Sequence, residues 1–262
     1  MMRRELLHLC GPFSVYSYGL AIAVGLLVFT WLCLKNETCK RIISHEKFIE
    51  TVGLSLIVGI SGARLLFLLN SWHRMESFGE IFAVWSGGLS VLGGIIAILL
   101  IIPWYLKYIK VPVLPLLDIA AVNAPLLHSI SRLGCFMAGC CYGMPSNLPW
   151  AITYTDVDSE APLNIALHPT QLYTAGLLLL TFLFFYFVLQ KKISTPGLML
   201  MCYLMAESII RFSMDYVRND IEYFSWDSLH LFSAHQWISI GMFLTSLAGM
   251  IIVRYTKKEQ SL

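Results

Sequence analysis

QLYTAGLLLLTFLFFYFVL, residues 171–189, is a run of nineteen positions without a single charge. Wound as a helix at about 1.5 Å per residue it is roughly 28 Å long, close to the ~30 Å of hydrocarbon in a bilayer. Inside lipid no water satisfies backbone groups, so such a run reads as a membrane-spanning helix. Working outward, six more windows of this kind lie at 15–34, 51–69, 87–108, 114–134, 197–214 and 236–253. Gly87, Gly88, Gly93, Gly94, Pro115 and Pro125 interrupt the third and fourth, which a bundle tolerates where neighbours re-satisfy the freed backbone. The composition agrees: 57% of 262 residues are hydrophobic and 13% charged, against roughly 25% charged in a soluble domain. Mean hydropathy is +0.70. Disorder is excluded. The expected fold class is all-α, a seven-helix transmembrane bundle forming one integral membrane domain over 1–262.

The basic residues predict the orientation. Lys35, Lys40, Arg41 and Lys47 follow the first span, Lys107 and Lys110 the third, Lys191 and Lys192 the fifth, and Arg254, Lys257 and Lys258 the last. By the positive-inside rule these segments are cytoplasmic. The stretch from Leu133 to Thr170 has no Lys or Arg, the mark of a translocated loop. The amino terminus is therefore expected outside and the carboxyl terminus inside, against the dissent of Arg3 and Arg4, with a small extracytoplasmic head at about 135–170. Nothing at the start reads as a cleavable signal peptide, so the first span is expected to be retained.

A formal net charge of +2 argues against nucleic acid as a partner. No internal repeat of about 20–50 residues is visible, which removes support from a transporter built on two similar halves. Arginine inside a span is costly and marks a functional site by default. Arg64, Arg132 and Arg211 lie near the outward ends of spans two, four and six, so one cavity below the outer surface is expected to hold all three. Guanidinium groups are planar, permanently charged and suited to phosphate oxygens. The alternative is snorkelling to headgroups. Glu207 and Asp215 each stand four residues from Arg211 and read first as neutralising it, while Asp118 reads as a helix-start or helix-to-helix acceptor. Arg218, further along, is expected closer to water. Tyr18, the Trp85 to Ser90 stretch, His168, Gln171 and Tyr173 converge on the same outer level.

Cys135, Cys140 and Cys141 form a CxxxxCC pattern. A zinc site would need paired ligands on each side, and only His168 offers a fourth. No metal is expected; small residues packed at a helix end are the first reading, a Cys135–Cys140 redox pair the second.

Arg132-Leu133-Gly134 with Phe136 and Gly143, His168-Pro169-Thr170-Gln171-Leu172-Tyr173, Gly62-Ala63-Arg64, the Trp85 to Ser90 stretch followed by Gly93-Gly94, Tyr18-Gly19, and Arg211-Phe212 with Asp215 and Arg218 resemble the prolipoprotein diacylglyceryl transferase family over nearly the whole chain. The resemblance implies a multi-pass enzyme of the bacterial inner membrane. Such an enzyme takes the diacylglyceryl group from phosphatidylglycerol and joins it by a thioether to the lipobox cysteine in the signal peptide of a lipoprotein precursor, with glycerol phosphate leaving and no cofactor. It implies catalytic or phosphate-binding roles for Arg132 and Arg211 and supporting ones for Tyr18, Arg64 and Arg218; these three, with Gly87, Gly88, Gln171 and Tyr173 from the same outer level, are the expected substrate-binding residues. Leu92 stands where the family usually has a histidine, Cys135, Ala138 and Cys140 replace its asparagines and glutamate, Thr174 an acid, and Glu207 a tyrosine. With Leu92 there, His168 is the nearest candidate base, its other reading being a hydrogen bond that fixes the junction before Pro169. The rival readings are a relative that serves another acceptor or binds lipid without chemistry and, further off, a small-molecule transporter.

Overall fold

A computed structural model describes residues 5–10, 13–71, 88–219 and 231–259. Trp85, Ser86 and Gly87 lie outside the described residues. The chain opens with strands β1 (Glu5–Cys10) and β2 (Phe13–Tyr16), which pair. Helices α1 (Ser17–Lys35), α2 (Glu37–Ile42), α3 (His45–Ser71), α4 (Val91–Tyr108) and α5 (Val113–Ala138) follow. Next come the short strands β3 (Ile152–Thr153) and β4 (Ala166–Leu167). Helix α6 (Thr170–Phe184) runs through a π turn, Phe185–Leu189, into α7 (Gln190–Lys192), and α8 (Leu198–Met214) and α9 (Ala234–Glu259) complete the order.

Among the described residues five stretches are long and apolar enough to cross a membrane: Ser17–Lys35, His45–Ser71, Val113–Ala138, Thr170–Lys192 and Ala234–Tyr255. The other two windows are helical but shorter, with α4 at 18 residues and α8 at 17. The described chain is mostly helical, as expected, with small paired strands added: Val15 and Tyr16 are extended, so α1 begins at Ser17. Pro125 does not end α5, which continues to Ala138 and keeps Cys135 helical.

The chain divides into two compact units. One holds α2, α3 and α4, where α3 and α4 cross at Gly62 and Gly93. A Cβ on Gly62 would lie 2.3 Å from Ala97 Cβ and 2.6 Å from Gly93 O, so only glycine permits this approach. Gly93 and Gly94 of span three therefore let α4 approach α3 closely.

The other unit holds α1 to Cys33, α5 from Leu117, and α6 to α9. Ser129 Oγ donates to Ala175 O at 2.8 Å, tying α5 to α6. Asp118 joins α5 to α8: its carboxylate accepts from Gly197 N at 2.6 Å and Leu200 N at 2.8 Å. A helix start leaves its first N–H groups without partners, and an anion there also suits the helix dipole. The acceptor reading of Asp118 thus holds, as a cap supplied from another helix. Asp118→Ala is expected to cost about 1–3 kcal/mol by leaving those donors unpaired, read as a lower Tm in detergent with α5 and α6 retained; an unchanged Tm would contradict the cap.

Residues 139–169 form a small head on this unit. β3 and β4 pair in the register Ile152↔Leu167 and Thr153↔Ala166, over a core of Tyr154, Ala161 and Leu167. Gly143 bridges to Arg218, and Met144 N donates to Val217 O at 2.9 Å, so the head is stitched to the exit of α8.

Candidate functional site

His128 and Arg132 stand one turn apart on α5 and therefore meet on one face. Arg132 Nε donates to His128 Nε2 at 3.1 Å, and His128 Nδ1 lies 3.2 Å from Glu207 Oε1 on α8. With Nε2 accepting, the neutral ring carries its hydrogen on Nδ1, which donates to the carboxylate. Glu207 also lies within electrostatic reach of Arg132 and Arg211. Two of the three arginines singled out from sequence are thus gathered around one acid. The histidine between them escaped the sequence reading, although its place four residues before Arg132 was the available signal.

Arg211 Nη2 stands 3.7 Å from Asp215 Oδ1, and the Asp215 side chain is 1% exposed. Ser233 Oγ donates to the other carboxylate oxygen, and His235 Nδ1 is 3.9 Å from Oδ1. Asp215 is therefore the ion-pair partner of Arg211, while Glu207 is turned to His128. Arg218 is buried rather than close to water, because the strand-like bridge to Gly143 draws it under the head.

Arg64 belongs to the other unit. It is buried there, with Nη1 donating to Gly88 O at 3.0 Å and its guanidinium carbon 5.4 Å from the centre of the Phe67 ring. Arg64 and Gly88, both expected at the site, do meet each other. Leu92, also in that unit, is exposed.

The run from His168 to Tyr173 acts on the cysteine stretch. Thr170 Oγ1 donates to Cys141 O and Gln171 Nε2 to Cys140 O, each at 2.8 Å. Gln171 Nε2 also reaches Tyr154 Oη at 3.3 Å, and Tyr154 in turn donates to Phe136 O at 3.1 Å. Burial pushes the Tyr154 phenol up to about 12, so it stays a donor. Tyr173 Oη accepts from Trp150 Nε1 at 2.7 Å and lies 3.4 Å from His168 Nδ1. His168 also holds both backbone neighbours: its N–H donates to Met144 O and its carbonyl accepts from Gly143 N.

Tyr18, half-exposed at the start of α1, packs on the arginine motif, since a Cβ on Gly134 would come 3.0 Å from Tyr18 Cα. The sulfurs of Cys135, Cys140 and Cys141 lie within 4.8 Å of one another and could hold a metal ion. The Cys141 thiol is pushed down by hydrogen bonds from Cys135 and Cys140 and by the charges of Arg218 and Arg132. Between α8 and α9 lies a cavity of about 250 Å³ lined by Ile209, Phe212, Phe243 and Leu244 among others, one residue along from Arg211. Chemically, this unit offers fixed cations around a carboxylate and, on another face of α8, an apolar cavity.

A family model described as prolipoprotein diacylglyceryl transferase matches residues 4–252. A phosphatidylglycerol–prolipoprotein diacylglyceryl transferase of Clostridium tetani is 29% identical over 259 residues, 98% of this chain and 100% of that protein. One of Clostridium perfringens, designated 2, is 32% identical over 230 residues, 87% of this chain and 86% of its own. A third, from Gloeobacter violaceus, is 32% identical over 221 residues, covering 80% of each.

Proposed function

The chain belongs to the prolipoprotein diacylglyceryl transferase family, and on that premise we propose that it is a phosphatidylglycerol-dependent transferase that places a diacylglyceryl group on the lipobox cysteine thiol of secreted prolipoproteins. It is a multi-pass membrane protein. We further assign it seven spans, an outside amino terminus, a cytoplasmic carboxyl terminus and a place in the bacterial inner membrane, on the charge pattern of its connections.

The observation that carries the reading is the gathering of Arg132 and Arg211 around Glu207. An anionic phospholipid needs a cationic seat for its phosphate. Displacement at a glyceryl carbon builds negative charge on the departing phosphate, and preorganised guanidinium donors stabilise that charge as it grows. In this assignment Arg132 and Arg211 hold the phosphate. His128 and Glu207 fix the Arg132 fork, using its Nε and leaving its terminal nitrogens for the ligand. Tyr18 and Arg218 support the donor, while Gln171 and Tyr173 serve through the loop they hold.

His168 is assigned to positioning rather than proton transfer, since its ring is turned to Tyr173 and its backbone anchors the head. His168→Gln is expected to keep turnover within about threefold and the pH profile unchanged. A loss of about a hundredfold or more, the scale of a general base, together with a shifted profile, would make it the base.

The test of the function is a transfer assay with glyceryl-labelled phosphatidylglycerol and a lipobox peptide. Label joined to the peptide cysteine, absent with a serine peptide, is the expected result. Tight binding of the phospholipid with no labelled peptide would overturn the transferase in favour of a lipid-binding relative.

A further inference from the structure

The end of α5 and the loop after it are folded so that three cysteines face one another. Gly139, at φ +79°, ends the helix with its N–H on Cys135 O at 2.9 Å, and a Cβ there would meet Ser159 Oγ at 2.1 Å. Cys141 is itself left-handed, at φ +58°, a conformation that non-glycine residues rarely adopt. The two reversals bring Cys140 and Cys141 back over the last helical turn, where Cys135 sits. Thr170 and Gln171 then hold the carbonyls of both loop cysteines from α6. All three are free thiols.

Neutral thiols are weak donors and weak acceptors, so their mutual attraction does not account for an arrangement braced from a second helix. A soft cation does. Around a tetrahedral ion with bonds of about 2.3 Å, sulfurs stand about 3.8 Å apart, and shifts of about 1 Å at most bring these three, within 4.8 Å, to that spacing. Sulfur ligands select zinc-type or cuprous ions over magnesium or calcium. Three thiolates on a divalent ion leave one net negative charge, and Arg132, one turn before Cys135, and Arg218, paired by its backbone to Gly143, lie close enough to balance it.

We propose that Cys135, Cys140 and Cys141 bind a thiophilic cation of the zinc type through their three sulfurs, leaving a fourth position for a ligand from outside the chain. His168, the fourth ligand that the sequence suggested, is not part of the cluster, and the proposal departs from the sequence expectation of no metal. Three protein ligands with an open fourth place is the pattern of reactive rather than purely structural zinc. The identity of the fourth ligand rests on the transferase reading: it is the acceptor thiol. On coordination the thiol releases its proton to solvent. Its sulfur pair then forms the bond to the glyceryl carbon while the carbon–oxygen bond to phosphate breaks, and that pair leaves on glycerol phosphate.

The full-length protein, purified in detergent under reducing conditions and stripped of metal, is titrated with Zn(II) and, as a chromophore, Co(II). One ion per chain is expected, with sulfur-to-cobalt charge-transfer bands. Cys135→Ser, Cys140→Ser and Cys141→Ser should each weaken binding by about a hundredfold or more, and Cys202→Ser should leave it unchanged. Should the serine variants fail to fold, Zn(II) must instead protect these three thiols of the wild-type chain from alkylation, read by peptide mass. Uptake below one ion in ten chains, a disulfide among the three in the native protein, or unprotected thiols would each overturn the site. A lipobox peptide should shift the cobalt spectrum where its serine counterpart does not; an unchanged spectrum overturns the fourth-ligand role and leaves the zinc site standing. Failure of the transferase reading shows separately, as no labelled peptide from the metal-loaded protein.

Discussion

Arg132→Ala is expected to lower turnover by about 10²–10³, the scale of removing one preorganised donor from a developing oxyanion. Arg132→Lys should not rescue it. The guanidinium does two things at once: Nε donates to His128 at 3.1 Å, and the terminal nitrogens, which hydrogen-bond to no other described residue, can make a forked contact with phosphate. A lysine ammonium concentrates its three donors on one atom, so it cannot keep the histidine and present a planar fork. His128→Ala should fall between the wild type and Arg132→Ala, raising KM more than it lowers kcat, since it loosens the fork without removing the charge. The measurement is the transfer assay at saturating and limiting phosphatidylglycerol. Wild-type turnover in the Arg132→Ala protein would remove Arg132 from the phosphate seat.

Arg211→Ala is expected to fail twice, in turnover and in stability. Asp215 is almost fully buried and carries a carboxylate that Arg211 faces at 3.7 Å. Removing one member of a buried pair leaves an uncompensated charge, at a cost of about 3 kcal/mol; the Ser233 hydroxyl and the nearby His235 offset part of it. Adding Asp215→Asn should restore most of the lost Tm, because the amide needs no counter-charge and still accepts from Ser233. It should not restore transfer, because the cation is gone. Recovery of transfer in the double variant would show that Arg211 serves only the fold.

The helices were legible because a membrane makes the rule local. Each spanning segment must satisfy its own backbone and present apolar side chains to lipid, so its position is written in consecutive residues. Even so, among the described residues length and composition alone qualify five of the seven windows. Arg132 and Arg211 were legible for the same local reason, since a charge in an apolar run is conspicuous.

What joins the helices was not legible. His128 meets Glu207 across 79 positions, and Asp118 caps α8 from a similar distance along the chain. In both cases one member looks unremarkable until the helix carrying the other is packed beside it. Gln171 and Tyr173 read from sequence as ligand-binding groups, whereas their hydrogen bonds go to the cysteine loop and the head. The sequence by itself determined that this is a membrane protein of apolar helices, that it belongs with the lipid-dependent transferases and that arginines are its costly residues. Only the tertiary structure decided which acid faces which cation, that Arg218 is buried, and that three thiols spaced CxxxxCC come to one point. Spacing places side chains only while the backbone stays regular. Here two left-handed residues reverse the chain between the cysteines, and the bonds that hold the reversal come from α6.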